Sequence, residues 1–361
     1  MQEKAKIESL GIYLPSRKVS TDEVIAGCHK KPRWDLEKLT GIKERRVVEN
    51  EYAIDLAIRA SQNALAMSRY QAKDLDMIIC TSISKYNALH EFEFEPANSA
   101  RIREAIGATR ANHFDVVNAC AGMFTGVFLM SNFIKAGIVK CGLVVSGEFI
   151  TPLAENAKKE IRHSFDGQLA SLTLGDCGAA LILDPCNDPR YGFHYLDFVT
   201  GAKYQDLCIA KPSSRGTGAV MYTRPVTLHK KGLTNLPPYF KRALDKTGWT
   251  IDQLDWIIPH QTSVRAIRRG SKNLEEFCRY RFPEGTTITN VEKYGNTSST
   301  THSLVLHEYI RTDRINQDDN LIFLIGASGI VIGNVTYTMD DLPQRYRASL
   351  QEREKYAANA N

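Results

Sequence analysis

Short apolar runs separated by amphipathic stretches give this chain a regular alternation of predicted strands and helices. Runs of strand length lie at residues 7–14, 75–84, 114–117, 143–149, 254–263 and 321–329. After the third run, Met123, Val127 and Met130 recur at the spacing of one helix face. Strands that alternate with helices favour mostly parallel sheets covered by helices, which is the α/β class.

The two halves of the chain repeat similar sequence patterns in the same order. The segment LDMIICTSIS (75–84) resembles LDWIIPHQTS (254–263), VVNACAG (116–122) corresponds to ITNVEKYGNTSSTT (288–301), and LVVSGEF (143–149) corresponds to LIFLIGASG (321–329). Such a repeat indicates a duplication of halves rather than a short-period array. We therefore expect two halves, residues 1–185 and 186–361, that form one body. Residues 200–236 are expected to be rich in loops, and the charged tail after Asp340 to form a surface helix or a frayed end.

Composition and charge narrow the class of protein. With 361 residues, 43% hydrophobic and 24% charged, the chain is long enough for two domains or one large duplicated domain. A net charge of +5 is mild and does not by itself imply a nucleic-acid partner. No stretch approaches the roughly 20 apolar residues of a membrane span, and the start lacks the apolar segment of a secretory signal. We therefore expect a cytoplasmic protein without a membrane span.

The eight cysteines have no C-x-x-C pair and no partnered histidine spacing, so we expect reduced thiols and no metal site. One of them, Cys120, stands where the predicted strand 114–117 gives way to a helix. The N-terminus of a helix stabilises a thiolate, so Cys120 is expected to have a lowered pKa and to act as a nucleophile. The alternative is a buried cysteine that acts as a small hydrophobic residue.

Two further polar residues follow predicted strands. His260 comes directly after the apolar run 254–259, and Asn296 begins a Ser/Thr-rich helix start. In a duplicated α/β protein, functional groups collect at the carboxyl ends of strands. A structural histidine and a helix-capping asparagine are the alternatives. The loop Gly326–Gly329 lacks the spacing of a dinucleotide site and is better suited to donate a backbone N–H to an oxyanion.

Five segments in this order resemble the β-ketoacyl-acyl-carrier-protein synthase III family of the thiolase superfamily: VVNACAGMFTGV, LTLGDCGAALIL, DWIIPHQTS, EKYGNTSSTT and GASGIVIGN. They extend across nearly the whole chain. The resemblance implies a five-layered αβαβα thiolase fold, a homodimer, and a catalytic set of Cys120, His260 and Asn296. It also implies that no metal or redox cofactor is needed.

For the chemistry, the resemblance implies that Cys120 takes an acyl group from a coenzyme A or acyl-carrier-protein thioester. The backbone N–H groups of Cys120 and Gly329 would form the oxyanion hole. His260 and Asn296 would hold the carbonyl of a malonyl or β-ketoacyl thioester while carbon dioxide is lost and the enolate attacks.

The resemblance also locates candidate binding residues. Trp34 and Lys38 match the coenzyme A entrance, and the basic segment after His260 suits an acidic carrier protein or the phosphates of its arm. Its best candidates are Arg265, Arg268 and Arg269. An exposed helix face and a tryptophan used only for packing are the alternatives.

Two carboxylates set this chain apart. Glu95 replaces an aromatic residue of the family's pattern and resembles the glutamate that head-to-head condensing enzymes supply from the partner subunit. Glu148, at the end of a strand, would have a raised pKa if it were buried. We therefore expect a specialised lipid or secondary-metabolite enzyme. The alternatives are head-to-head condensation using Glu95, acyl transfer to an alcohol or amine, and a non-catalytic scaffold that binds the carrier.

Overall fold

The computed structural model describes residues 4–88, 91–93, 95–216 and 218–359. All eight cysteines lie within these ranges and are free thiols. The strands of the described residues are β1 (Lys4–Tyr13), β2 (Arg17–Ser20), β3 (Glu44–Val47), β4 (Met77–Cys80), β5 (Tyr86–Ala88), β6 (Glu91–Phe92), β7 (Asn112–Asp115), β8 (Gly142–Glu148), β9 (Cys177–Cys186), β10 (Gly192–Thr200), β11 (Cys208–Pro212), β12 (Ala219–Thr223), β13 (Trp256–Pro259), β14 (Asn320–Ala327) and β15 (Val331–Thr338).

The helices confirm the helical segments that the apolar spacing predicted. They are α1 (Thr21–Ala26), α2 (Leu36–Thr40), α3 (Ala53–Ala66), α4 (Asn98–Ile106), α5 (Gly122–Lys135), α6 (Pro152–Glu160), α7 (Pro225–Thr247), α8 (Val264–Cys278), α9 (Val291–Tyr294), α10 (Thr301–Arg311) and α11 (Leu342–Asn359). The charged tail therefore does form a helix. Within the described ranges, no helix combines the length and apolarity needed to cross a bilayer.

Two main sheets have matching topologies. The first has the strand order β1-β9-β8-β4-β7, and the second has the order β10-β15-β14-β13. In each, the strand that carries the end of the LD-x-II pattern (β4 or β13) pairs in parallel with the strand of the third repeated segment (β8 or β14). The first sheet draws its strands from residues 4–186 and the second from residues 192–338. The division of the chain at residue 185 stays a prediction.

The expectation of mostly parallel sheets is wrong. The pairs β1–β9, β8–β9, β10–β15 and β14–β15 are antiparallel, whereas β4–β7, β4–β8 and β13–β14 are parallel. The reason is connection length. Only Ser328, Gly329 and Ile330 separate β14 from β15, and a parallel crossover needs about a dozen residues or more.

The sheets and helices form the five-layered sandwich that the resemblance implied. Helices α3 and α4 cover the outer face of the first sheet, and α7 and α8 cover the outer face of the second. Between the sheets lie α5 and α10, which share one apolar cluster with both. The predicted face of α5, with Met123, Val127 and Met130, is fully buried there. Cys120, just before α5, is thereby held near the centre of the molecule.

The loop-rich prediction for residues 200–236 is wrong in its last third. Strands β11 (Cys208–Pro212) and β12 (Ala219–Thr223) pair as an antiparallel hairpin, and α7 begins at Pro225 and continues through Pro237 and Pro238. Proline at the first helical position costs no hydrogen bond, because the N–H of that residue has no helical partner. Phe240 and Ala243 are buried against the second sheet, and this packing stabilises the helix despite the interior prolines.

Candidate active site

Cys120 lies in a one-turn 3-10 helix, Ala119–Ala121, that joins the first sheet to α5. The backbone before it is unusual, since Ala119 has a φ of 45°. Gly122 starts α5, and a Cβ atom there would lie 2.9 Å from the carbonyl oxygen of Thr81, so glycine permits the close approach to the neighbouring strand end. The predicted strand, turn and helix are therefore present, with the strand at Asn112–Asp115.

The expected lowering of the Cys120 pKa is wrong. Although Cys120 keeps some exposure, burial raises its pKa to about 12, and the negative charge of Glu148 acts in the same direction. The Ser298 hydroxyl and the backbone N–H of Cys120 lower the pKa but do not outweigh burial. Desolvation in the sandwich centre is therefore the largest effect on this group, and the resting group is a thiol.

A chain of two hydrogen bonds connects Cys120 with Asn296. The Ser298 hydroxyl donates to Cys120 Sγ at 3.6 Å, and the Ser298 backbone N–H donates to Asn296 Oδ1 at 2.9 Å. Ser298 is buried and has a φ of 55°, so its position is set by the surrounding structure. Sequence reasoning missed Ser298, because a Ser/Thr-rich stretch does not show which hydroxyl faces the thiol.

The backbone of Asn296 is fixed against the segment that precedes β9. Its N–H donates to the Thr173 carbonyl at 2.9 Å, and its carbonyl accepts from the Gly175 N–H at 3.0 Å. Gly295 has a φ of 65°, and a Cβ atom there would lie 2.6 Å from the Thr173 oxygen. Glycine is therefore required directly before Asn296, and the two halves of the chain meet at this point.

His260 directly follows β13, as predicted. Its backbone N–H donates to the Leu324 carbonyl of β14 at 2.9 Å. Burial, together with the smaller effects of His302 and His229, lowers the pKa of its imidazole to about 3. His260 is therefore neutral near pH 7, and its Nδ1 has no hydrogen-bond partner among the described residues.

A second histidine, His302 in α10, packs beside His260 and was not predicted. The ring centroids are 6.0 Å apart, with 30° between the ring planes. His302 Nε2 donates to the Leu324 carbonyl at 3.1 Å, and the Phe124 ring contacts the His302 ring edge-on at 5.3 Å. His302 thus connects the helix after Cys120 with the strand beside His260. Only the folded topology brings these segments together.

Glu148, at the end of β8, is fully buried. Its Oε1 accepts hydrogen bonds from Ser146 Oγ at 2.8 Å and from the Ser299 hydroxyl, while Oε2 has no partner among the described residues. Burial raises its pKa to about 7 despite these donors, as expected for a buried carboxyl. Ser299 directly follows Ser298, so Glu148 lies close to the Cys120 site.

Glu95 lies elsewhere in the single chain. It is exposed and lies just before α4, whose Asn98 and Ser99 N–H groups both donate to Asp115 of β7 at 2.9 Å. Glu95 is therefore at the edge of the first sheet, where β7 is the last strand.

Gly329 occupies the link between β14 and β15 with a φ of 129°. The roles predicted for Glu95 and Gly329 stay predictions.

The candidate binding residues lie on neighbouring elements. The Trp34 indole N–H donates to the Ser164 carbonyl at 2.7 Å, and Lys38 on α2 is exposed. Helix α2 packs against α8 through Gly41, where a Cβ atom would lie 2.5 Å from a Val264 methyl group. This surface is completed by three exposed arginines of α8: Arg265, Arg268 and Arg269. None of them forms an ion pair with a described residue.

Comparisons with known proteins agree with this arrangement. Residues 114–203 match the family model of 3-oxoacyl-[acyl-carrier-protein] synthase III, and residues 244–339 match the model of its C-terminal part. The β-ketoacyl-[acyl-carrier-protein] synthase III of Deinococcus deserti is 30% identical over 333 residues, which are 90% of this chain and 88% of that protein.

Solved structures show the same fold. The priming β-ketosynthase of the R1128 polyketide pathway has a TM-score of 0.79 at 21% identity, over 95% of this chain and 98% of its own. A variant of OleA from Xanthomonas campestris has a TM-score of 0.78 at 21% identity, over 93% and 97%. The chain therefore belongs to the 3-oxoacyl-[acyl-carrier-protein] synthase III family, whose members are acyl-transferring condensing enzymes, and it has the thiolase fold.

Proposed function

We propose that this enzyme loads an acyl group on Cys120 and extends it by decarboxylative Claisen condensation with a malonyl thioester. We further propose that it serves a specialised lipid or polyketide-like pathway. The hydrogen-bond chain from Asn296 through Ser298 to Cys120 carries the proposal, with a buried, neutral His260 at the end of β13 in support. No metal or redox cofactor takes part in this reaction.

In the loading step, Cys120 Sγ attacks the thioester carbonyl and the donor thiol leaves. Because Cys120 rests as a thiol, its proton must be transferred as the new C–S bond forms. Neutral His260 is the candidate acceptor, and the proton then passes to the departing thiol. The backbone N–H groups of Cys120 and Gly329 are the proposed donors to the tetrahedral oxyanion.

In the condensation step, the C–C bond to the malonyl carboxylate breaks and carbon dioxide leaves. His260 and Asn296 side-chain N–H groups would stabilise the enolate oxygen, and the enolate carbon attacks the acyl carbonyl on Cys120. The C–S bond then breaks, and the Cys120 thiolate takes up a proton from solvent to restore the thiol. Loss of carbon dioxide generates the carbanion directly, so this route needs no carboxylate base, which suits a site with neutral side chains.

Head-to-head condensation of two acyl thioesters is the second candidate, because two carboxylates are available as bases. Glu148 is buried with a pKa of about 7, and Glu95 lies at the β7 edge. We propose a homodimer formed at this edge, since among the described strands β7 pairs only with β4, and Val117 and Phe128 expose apolar side chains nearby. In such a dimer Glu95 would serve the partner's site.

For the substrate carriers we propose both coenzyme A and an acyl carrier protein. Trp34 and Lys38 would bind the coenzyme, and the exposed α8 arginines would bind the acidic carrier or the phosphate of its arm. Because α2 packs on α8, both carriers would approach the same side of the molecule. Cytoplasmic location stays a prediction.

The state of the nucleophile can be measured by alkylation. With a pKa of about 12, Cys120 should react with iodoacetamide about tenfold faster per pH unit from roughly pH 7 to 10, since the thiolate fraction grows in that proportion. Ser298→Ala should slow the reaction at each pH, because it removes a donor that lowers the pKa. Intact-protein mass spectrometry measures the adduct, with Cys120→Ala as control for the other cysteines. A plateau below about pH 8 would contradict a resting thiol.

The division of labour in the catalytic set predicts separable defects. Cys120→Ala should form no acyl-enzyme; Asn296→Ala should still load, His260→Ala should load more slowly because it lacks the proton acceptor, and both should lose condensation by about a hundredfold or more. Mass spectrometry follows loading from a panel of acyl thioesters, and released carbon dioxide follows condensation with malonyl thioester. The exposed His29, changed to Ala, is the matched control. Acylation of the Cys120→Ala protein, or full condensation without His260, would refute the assignment.

The two carboxylates distinguish the two reactions. Under decarboxylative condensation, Glu95→Gln and Glu148→Gln should leave carbon dioxide release within a few-fold of wild type, because no base is required. Under head-to-head condensation, one of the two carboxylates acts as the base, and its Gln variant should form product about a hundredfold more slowly or worse. Glu104→Gln, an exposed change on α4, is the control.

Subunit mixing tests whether Glu95 acts across the dimer. If Glu95→Gln and Cys120→Ala proteins are each inactive in head-to-head condensation, mixed dimers should regain activity, since one site has an intact Cys120 and receives Glu95 from its partner. Activity that stays absent after verified subunit exchange would place the function of Glu95 within its own chain.

If the α8 arginines bind the acyl carrier protein, reversing their charge should raise KM for carrier-borne donors in a salt-dependent way. Reversing Arg265, Arg268 and Arg269 to Glu should raise KM for acyl-carrier-protein donors at least about tenfold at low salt, and the defect should shrink as salt rises. Steady-state kinetics with carrier-borne and coenzyme A donors measures the difference. Reversal of the exposed Lys73, Arg110 and Lys140 makes the same change in net charge elsewhere. An equal effect of both triple variants would rule out specific docking on α8.

A further inference from the structure

A second concentration of positive charge lies away from α8. It is formed by five exposed side chains, which we call the basic patch: Lys30, Lys31, Arg33, Lys159 and Arg162. None of the five forms an ion pair with a described residue, whereas their neighbour Lys158 is paired with Glu155 at 2.6 Å. The patch therefore presents unneutralised charge to solvent.

Two chain segments are held side by side to form the basic patch. At one end, the His29 N–H donates to the Lys158 carbonyl at 2.9 Å. At the other, the Arg33 N–H donates to Ser164 Oγ at 3.1 Å and the Trp34 indole donates to the Ser164 carbonyl. The five cations lie between or next to these contacts, so the fold fixes them on one surface.

The carboxylates near the basic patch are engaged elsewhere. Asp35 accepts the Lys38 N–H at the start of α2, and Asp166 accepts the N–H groups of Arg162 and Gln168. Neither forms an ion pair with a patch cation. Two carboxylates cannot neutralise five cations, and the surface remains positive.

An unusually exposed aromatic residue adjoins the basic patch. Phe165, directly after Ser164, is 90% exposed. Two residues after Phe165, the Gly167 carbonyl accepts hydrogen bonds from the N–H and the hydroxyl of Thr223. Val226, three residues after Thr223, is 82% exposed. Two apolar side chains thus project from segments that are hydrogen-bonded to each other, beside five cations.

We propose that the basic patch and Phe165 dock the enzyme on a bilayer surface that contains anionic lipids. Lys and Arg near such a surface are attracted by its negative potential, and an exposed aromatic ring can enter the interfacial region. An acidic protein partner would also attract the cations, but a 90% exposed ring at the edge of the charge cluster favours insertion between lipid headgroups. Docking would place the Trp34 side of the enzyme near the membrane, where long-chain acyl groups are plentiful.

The test is sedimentation of the full-length protein with vesicles of phosphatidylcholine alone or mixed with phosphatidylglycerol. Wild type should bind only the mixed vesicles, and binding should weaken as salt rises. The triple variant Lys30→Glu, Lys31→Glu and Arg162→Glu should bind at least about tenfold more weakly. Phe165→Ser should weaken binding several-fold without changing its salt dependence. The control is the reversal of Lys73, Arg110 and Lys140, which changes net charge equally.

Each other outcome overturns the proposal. Absence of wild-type binding to mixed vesicles would exclude a lipid-docking surface. Equal loss in the control variant would show that net charge, not the basic patch, governs binding. If the patch variant keeps vesicle binding but raises KM for acyl-coenzyme A or for an acyl carrier protein, the patch serves that carrier. Because vesicle binding is measured without turnover, it is independent of the proposed condensation.

Discussion

Desolvation between the two sheets controls the chemistry of the site. Cys120, His260 and Glu148 come from different segments, yet burial is the largest cause of the pKa shift in all three, and in each it favours the uncharged form. A thiol, a neutral imidazole and a carboxyl group that titrates near pH 7 therefore share one region. The thiol and the imidazole carry no charge at rest, so an oxyanion or enolate that forms there meets neutral donors in a low-dielectric setting, where hydrogen bonds to charge are strong.

The duplicated topology explains why these groups meet. Corresponding strands of the two halves end on the same side of the sandwich, and the segments that follow them carry Cys120 in one half and His260 and Asn296 in the other. The pairing of Thr173 with Asn296 joins the halves two residues before Ser298, whose hydroxyl donates to Cys120. A shift of one half against the other would therefore separate Ser298 from the thiol.

Local patterns in the sequence were sufficient to locate the strand ends that carry Cys120 and His260, since an apolar run followed by a polar residue depends only on neighbouring positions. The pKa of Cys120 was predicted with the wrong sign, because a helix N-terminus is visible in sequence whereas desolvation depends on packing between distant segments. Ser298 and His302 were missed for the same reason. The helical part of 225–236 was missed because its interior prolines resemble a loop, and its stabilising contacts lie on the second sheet.

The choice between the two condensations depends on where a carboxylate can be desolvated. Glu148 is already buried, but its Oε1 is engaged by two serine hydroxyls, which stabilise the ionised form and hold it in place rather than directing it at a substrate. Glu95 is exposed in the single chain. Desolvation strengthens a carboxylate as a base, so the proposed head-to-head reaction with Glu95 as base needs a partner subunit that covers the β7 edge and receives Glu95 in its own site. The proposed decarboxylation needs no such base, because loss of carbon dioxide generates the carbanion directly.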